Sequence, residues 1–159
     1  MMDLISYPDY SKVWIYAASE KIQEGDILET YSKILDFAKS WSSHNIALRA
    51  TGGLLHNRFI VFIVDDGINN PGGCSIDKSV HFVKSMGTTL NLDFFNRNLF
   101  YYLENEVVKT VSKDQLLDHI KGGIINEDTL FFDTLVQSKI DFQKSWLKPF
   151  KRSWHSKLI

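Results

Sequence analysis

A chain of 159 residues holds one domain, or one domain with a small appended module. Hydrophobic residues make up 44% and charged residues 23%, which excludes a disordered chain, and a net charge of −1 argues against bulk electrostatic attraction to nucleic acid or membrane. The single cysteine, Cys74, excludes an intramolecular disulfide, and the longest apolar run, Phe59 to Val64, falls far short of the roughly 20 residues of a membrane span.

Met1 to Tyr16 has no basic region followed by an apolar stretch, so no signal peptide is expected and the expected location is cytoplasmic. Val13-Trp14-Ile15-Tyr16-Ala17, β-branched and aromatic, reads as the first strand. Gly25-Asp26 offers an N-cap to a helix in which Ile27, Leu28, Tyr31, Ile34, Leu35, Ala38 and Trp41 recur at three- and four-residue steps. Ile46, Leu48 and Ala50 alternate as in a half-buried strand, with a bulge or wide turn expected at Gly52-Gly53. His56-Asn57 reads as a hairpin turn, and the return arm Phe59 to Val64, apolar on both faces, as a central strand. After a turn-rich loop over 67–73, Ser75 can cap a second helix with Ile76, Val80, Val83, Met86 and Leu90 inward.

Leu99 to Leu103 and Val107 to Val111 read as a second hairpin, and Ser112 to Gln115 as a capping box opening a short helix through Leu116, Leu117 and Ile120. Thr129 to Phe132 reads as a last strand. A final helix is expected through Leu135, Val136, Ile140, Trp146 and Leu147, ended or kinked at Pro149. The first hundred residues thus spell βαββαβ, an α+β fold with a ferredoxin-like antiparallel sheet and helices on one face. The expected division is a core over 1–97 and an appended segment over 98–159, packed as one compact unit.

Gly72 to Ser79 matches the P-loop pattern except that Asp77 replaces the second glycine. A carboxylate there would repel the phosphates that the glycine backbone must wrap, so nucleotide hydrolysis is not the expected activity. The hairpin arms should bring His44 near Asp65 and Asp66, and the second helix start adds Cys74, Ser75 and Asp77 to the same edge. A thiolate at a helix N-terminus beside an imidazole and a carboxylate has the parts of a cysteine nucleophile, and His44 with three aspartates has those of a divalent-metal site. Each residue also has a plain structural role, since Ser and Asp commonly start helices and a lone cysteine is usually a small buried hydrophobe.

The C-terminal stretch interleaves Lys144, Lys148, Lys151 and Arg152 with Trp146, Phe150, Trp154 and His155. Such a surface can stack bases, but aromatics at four-residue spacing more often dock a helix on a core, so nucleic acid is not the expected partner. Trp146, Trp154, His155, Ser75 and Arg58 are the binding candidates. Arg58, opposite the His56-Asn57 turn, reads most simply as solvent-facing or locally paired.

Trp41 to Asn45 with Leu48 and Ala50, Gly73 to Ser79, and Trp146 through Pro149-Phe150 to Ser153-Trp154-His155 together resemble a family of short bacterial proteins often labelled "ABC transporter ATPase". That resemblance spans nearly the whole chain and implies no particular activity. Leu99 to Tyr102, Gln115-Leu116, Gly123 to Ile125 and Asp128 to Phe132 are similar to a bacterial variety of GYF domain. This implies a hairpin, short helix and strand, in a family that binds proline-rich peptides through aromatic surfaces. Val108 to Val111 stands where that family carries a Gly-Pro pair. With no complete catalytic or cofactor motif, the expected function is non-catalytic binding or scaffolding of a protein or peptide, without cofactor or resident metal. The alternative is a hydrolase or transferase using Cys74, His44 and an aspartate, or a carboxylate-bound metal.

Overall fold

The computed structural model describes residues 2–67 and 69–159; Ile68, in the loop expected over 67–73, lies outside the described residues. The mixed α and β content read from the sequence is what forms, with antiparallel pairing in each sheet. β1 (Lys12–Ala17) and α1 (Ile27–Ser40) lie where the β-branched run and the helical periodicity put them. A small ribbon follows, β2 (Ser42–Ser43) and β3 (Ile46–Ala47), turning at His44-Asn45 with φ of 52° and 63°. Two left-handed residues in succession are what a type I′ turn demands. The main hairpin, β4 (Arg49–Leu55) and β5 (Phe59–Asp65), turns at His56-Asn57 in the same way, with φ of 52° and 53°.

No bulge or wide turn forms at Gly52-Gly53. β4 runs straight through, with Gly52 opposite Phe62 and Gly53 opposite Val61. The glycines serve close packing instead. A Cβ on Gly52 would lie 2.8 Å from Ile34 Cγ2 and 2.9 Å from Phe62 Cδ1, so α1 rests on the bare backbone of β4. α2 (Gly73–Leu90) begins two residues before Ser75, capped at Gly72, and buries Ser75, Ser79, Val83, Met86 and Gly87.

The first sheet has the order β1-β5-β4. Its central strand β5 is buried at every residue. Trp14, Tyr16, Ile60, Phe62 and Val64 on one face meet Ile34 and Phe37 of α1 and Phe82 and Val83 of α2. Val13, Phe59, Val61 and Ile63 on the other face meet residues from the second half of the chain, Tyr101, Phe132, Val136 and Phe142, with Trp146 beside them.

The second half builds its own sheet from β6 (Leu99–Glu104), β7 (Val107–Ser112), β8 (Leu130–Phe132) and β9 (Leu147–Pro149), in the order β7-β6-β8-β9. Between these strands lie α3 (Leu116–Lys121) and α4 (Lys139–Ser145). Ser112 caps as read, its Oγ accepting from Gln115 N at 3.2 Å. Two expectations need correction. Leu99–Glu104 is not a fourth strand of the first sheet: Phe100 and Tyr102 join Val111, Leu116, Ile125 and Phe131 in a separate cluster, which holds β6 at the middle of the second sheet. Nor does a long helix close the chain. α4 stops at Ser145, Leu147–Pro149 pairs with β8 as an edge strand, and two 3-10 turns, Phe150–Arg152 and Trp154–Leu158, finish the fold. The four-residue spacing of Trp146, Phe150 and Trp154 misleads because they serve different cores: Trp146 packs between the two sheets, Phe150 and Trp154 around β6 and β8.

Among the described residues, no helix is long and apolar enough to cross a membrane.

Candidate functional site

The loop after β5 does fold back beside the β2–β3 ribbon: Asn69 Nδ2 donates to Ile46 O at 3.1 Å and Gly72 N to Ser43 Oγ at 3.3 Å. His44, exposed at the ribbon tip, brings its Nε2 within 3.7 Å of where a Cβ on Gly72 would sit, next to the start of α2. Cys74 and Asp77 are exposed on the first turns of that helix. Asp65 and Asp66 are engaged elsewhere. Asp65 accepts from Arg49 Nη1 at 2.8 Å, Tyr10 OH at 3.1 Å and Gly67 N at 3.0 Å. The Gly67 N–H first, then Arg49 and Tyr10, hold its carboxyl below the usual range against the opposing effect of burial. Asp66 lies 3.6 Å from Lys12 Nζ.

Ser75 is buried, its Oγ bonded to Gly72 O at 2.7 Å, while its carbonyl accepts the Trp41 indole N–H at 2.8 Å. Ser79, at the last place of the P-loop-like stretch, is buried against Tyr16 OH at 2.8 Å. Of the expected catalytic set, His44, Cys74 and Asp77 are exposed, while Asp65, Asp66 and Ser75 are engaged by their neighbours. Among the described residues, no three His, Cys, Asp or Glu side chains are grouped to hold a metal ion.

The expected binding residues of the C-terminal stretch fold around a carboxylate that the sequence did not flag. Asp133, buried just after β8, accepts from Lys148 Nζ at 2.8 Å, Trp154 Nε1 at 3.1 Å and Leu135 N at 2.9 Å. Burial raises its carboxyl, but these three donors outweigh burial and hold it below the usual range. His155 is buried, stacked on Trp154 at 3.8 Å with its Nδ1 against Ser153 Oγ, and desolvation pushes it down to about 4. Ser153 and His155 are each 2% exposed, so this Ser–His pair offers no nucleophile to a substrate. Trp146 wedges between the sheets, its ring 5.0 Å from Phe132 and 5.2 Å from Phe59, and its Nε1 has no partner among the described residues. Arg58 is neither solvent-facing nor available. It is 8% exposed and donates to Ala18 O at 3.1 Å, Ser19 O at 2.6 Å and Val108 O at 3.3 Å.

An open feature with recognition chemistry runs along the free edge of β1. β1 pairs with β5 on one side only. On the other side Val13 N donates to Gln137 O at 3.0 Å and Lys139 N to Ser11 O at 2.8 Å, an antiparallel bridge of Lys12 with Ser138. The two chains then part. The alternation set by Val13 turns the Val13 C=O, both backbone groups of Ile15 and the Ala17 N–H outward, and none of them has a partner among the described residues. The Ala17 carbonyl accepts from Tyr101 OH at 3.2 Å. Two cavities of about 640 and 600 Å³ flank this edge and share Ile15, Tyr16, Thr134 and Leu135 in their walls. The second reaches Val80 of α2, Phe94 to Arg97, and Trp154 and His155. Two expected binding residues thus do line a cleft, though the main wall residues, Ile15, Leu135 and Arg97, carry no sequence signal beyond ordinary strand and loop types.

Set against protein-family models, curated proteins and solved structures, the chain gives no match.

Proposed function

We propose that this is a non-catalytic cytoplasmic binding protein that holds an extended segment of a partner protein along the free edge of β1. The observation that carries the reading is the run of outward backbone groups from Val13 to Ala17, set between two apolar-walled cavities. Main-chain donors and acceptors at a sheet edge bind an extended peptide by adding a strand, and flanking pockets select its side chains. The fold that accompanies this reading is a ferredoxin-like core, supported by the order β1-β5-β4 for its first three strands, followed by a GYF-like hairpin, helix and strand.

A cysteine-based activity is less well supported, since both aspartates beside β5 are paired with cations, Asp65 with Arg49 and Asp66 with Lys12. Ile15→Pro tests the binding reading. The substitution deletes an outward N–H that bonds nothing in the chain, so the ladder to β5 stays intact. Capture of native-cell partners on the immobilised protein should fall by about tenfold while cooperative thermal unfolding persists. Partners retained equally by the variant would sink the proposal.

A further inference from the structure

This inference rests on the β1 cleft being a binding site, and it concerns what fills the cleft. In a βαββαβ sheet whose first three strands stand in the order 1-3-2, the fourth strand sits beside the first and runs antiparallel to it. Here the third strand, β5, is antiparallel to β1, and β6 has gone to the other sheet. Beyond the Lys12–Ser138 bridge, the place beside Trp14 to Ala17 is taken by no strand among the described residues. We propose that the cleft takes an extended, apolar segment of another protein as the fourth strand of this sheet, antiparallel to β1, with an acidic side chain N-terminal to the apolar run.

The backbone sets the direction. Gln137 to Lys139 already pairs antiparallel with the start of β1, so a strand laid in the widening cleft continues that polarity. Such a segment places about four residues opposite Trp14 to Ala17. Its side chains alternate between the helix side, where Tyr16, Val80 and Phe95 stand, and the second-sheet side, where Leu99, Phe132 and Leu135 stand. Both walls are apolar, so successive residues of the segment are apolar, as they are in β5.

Charge then fixes one end. Arg97 lines the cleft at the Ala17 end, is exposed, and forms no ion pair among the described residues. Lys84, its Nζ 5.7 Å from the centre of the Phe95 ring, and Asp93, within electrostatic reach of Tyr101, offset one another nearby, so Arg97 carries the preference. At the opposite end Lys12 is engaged with Asp66, and Asp141 brings the opposite sign, so no net preference arises there. An antiparallel segment has its N-terminal end at Ala17, which is why the acid precedes the apolar run. A second copy of this chain does not fit. Its β1 is recessed between the same walls, with Leu135 63% exposed on the rim, and two recessed edges cannot approach to the 4.7–4.9 Å that strand pairing requires.

The test is a phage-displayed library of random linear dodecapeptides panned on the full chain, on Arg97→Glu and on Leu135→Trp, which fills the cleft from its rim. Arg97 and Leu135 are exposed, and an unfolding curve for each variant checks that it folds before panning. The wild-type chain should enrich Asp or Glu followed by an apolar run, and Arg97→Glu should enrich Lys or Arg at the same place. A capped synthetic peptide with that Glu should bind about fivefold more tightly than its Gln counterpart. Apolar peptides lost only on Leu135→Trp, with no fixed acid, would overturn the acidic strand and leave the cleft reading standing. An acid enriched after the apolar run would overturn the antiparallel direction. No enrichment, or peptides held equally well by Leu135→Trp, would overturn both.

Discussion

His155 shows how burial tunes a side chain. Its ring lies between Trp154, Phe100 and Phe131, the last two 4.9 Å away, and desolvation holds its pKa at about 4. The unfolded chain binds a proton at about 6.5. The folded value is therefore depressed, so the neutral form contributes stability that is fully present above about pH 6.5 and is lost as pH falls toward 4. The difference corresponds to roughly 3 kcal/mol. His56, leaning on Phe59, Phe132 and Trp146, is lowered by burial as well and adds to the same slope. His155→Phe should flatten most of the decline in urea midpoint between pH 6.5 and 4. A decline as steep as that of the wild type would show that His155 does not set it.

Among the elements, β4 carries the sharpest constraint. α1 lies on Gly52 so closely that an added methyl meets both Ile34 and Phe62 inside 3.0 Å. Gly52→Ala should lower stability by about 1–3 kcal/mol, read as an earlier denaturation midpoint with an unchanged slope, because one of two fully buried side chains must leave its rotamer. Elements with strong periodicity were legible in advance: α1 from its three- and four-residue steps, β5 from six apolar residues in a row, the short α3 from the Ser112 cap. The C-terminal end was not. β9 is three residues long and exists through pairing with β8, where Pro149 needs no N–H at an edge. Gly52 and Gly53 looked like a strand breaker because what they make room for, Ile34 and Met2, comes from distant parts of the chain.

At the scale of the molecule, the two sheets share one core about β5 and are tied by Arg58. Its guanidinium joins carbonyls just beyond β1 to the Val108 carbonyl of β7. Arg58→Met keeps the apolar stem but strands those acceptors, and should cost about 2–4 kcal/mol by chemical denaturation. An unchanged midpoint would mean that water takes over the three bonds. The cleft beside β1 was illegible for the same reason as the tie: it arises from Ile15 and Leu135 meeting across the fold, and the sequence pattern put Leu135 in a helix. At the candidate edge, the return of the loop after β5 to the start of α2 was legible, but the partners of Asp65 and Asp66, Arg49 and Lys12, were not. The double coverage of β5 also matters while the chain is being made. Phe59 to Val64 leaves the ribosome with its helix-side cover from α1 already synthesised, yet its other face waits for Tyr101, Phe132 and finally Trp146, the last about 80 residues later. At ordinary elongation rates that is roughly 4–16 s during which six consecutive apolar residues have one face uncovered, a window in which the nascent chain is a natural client for a chaperone.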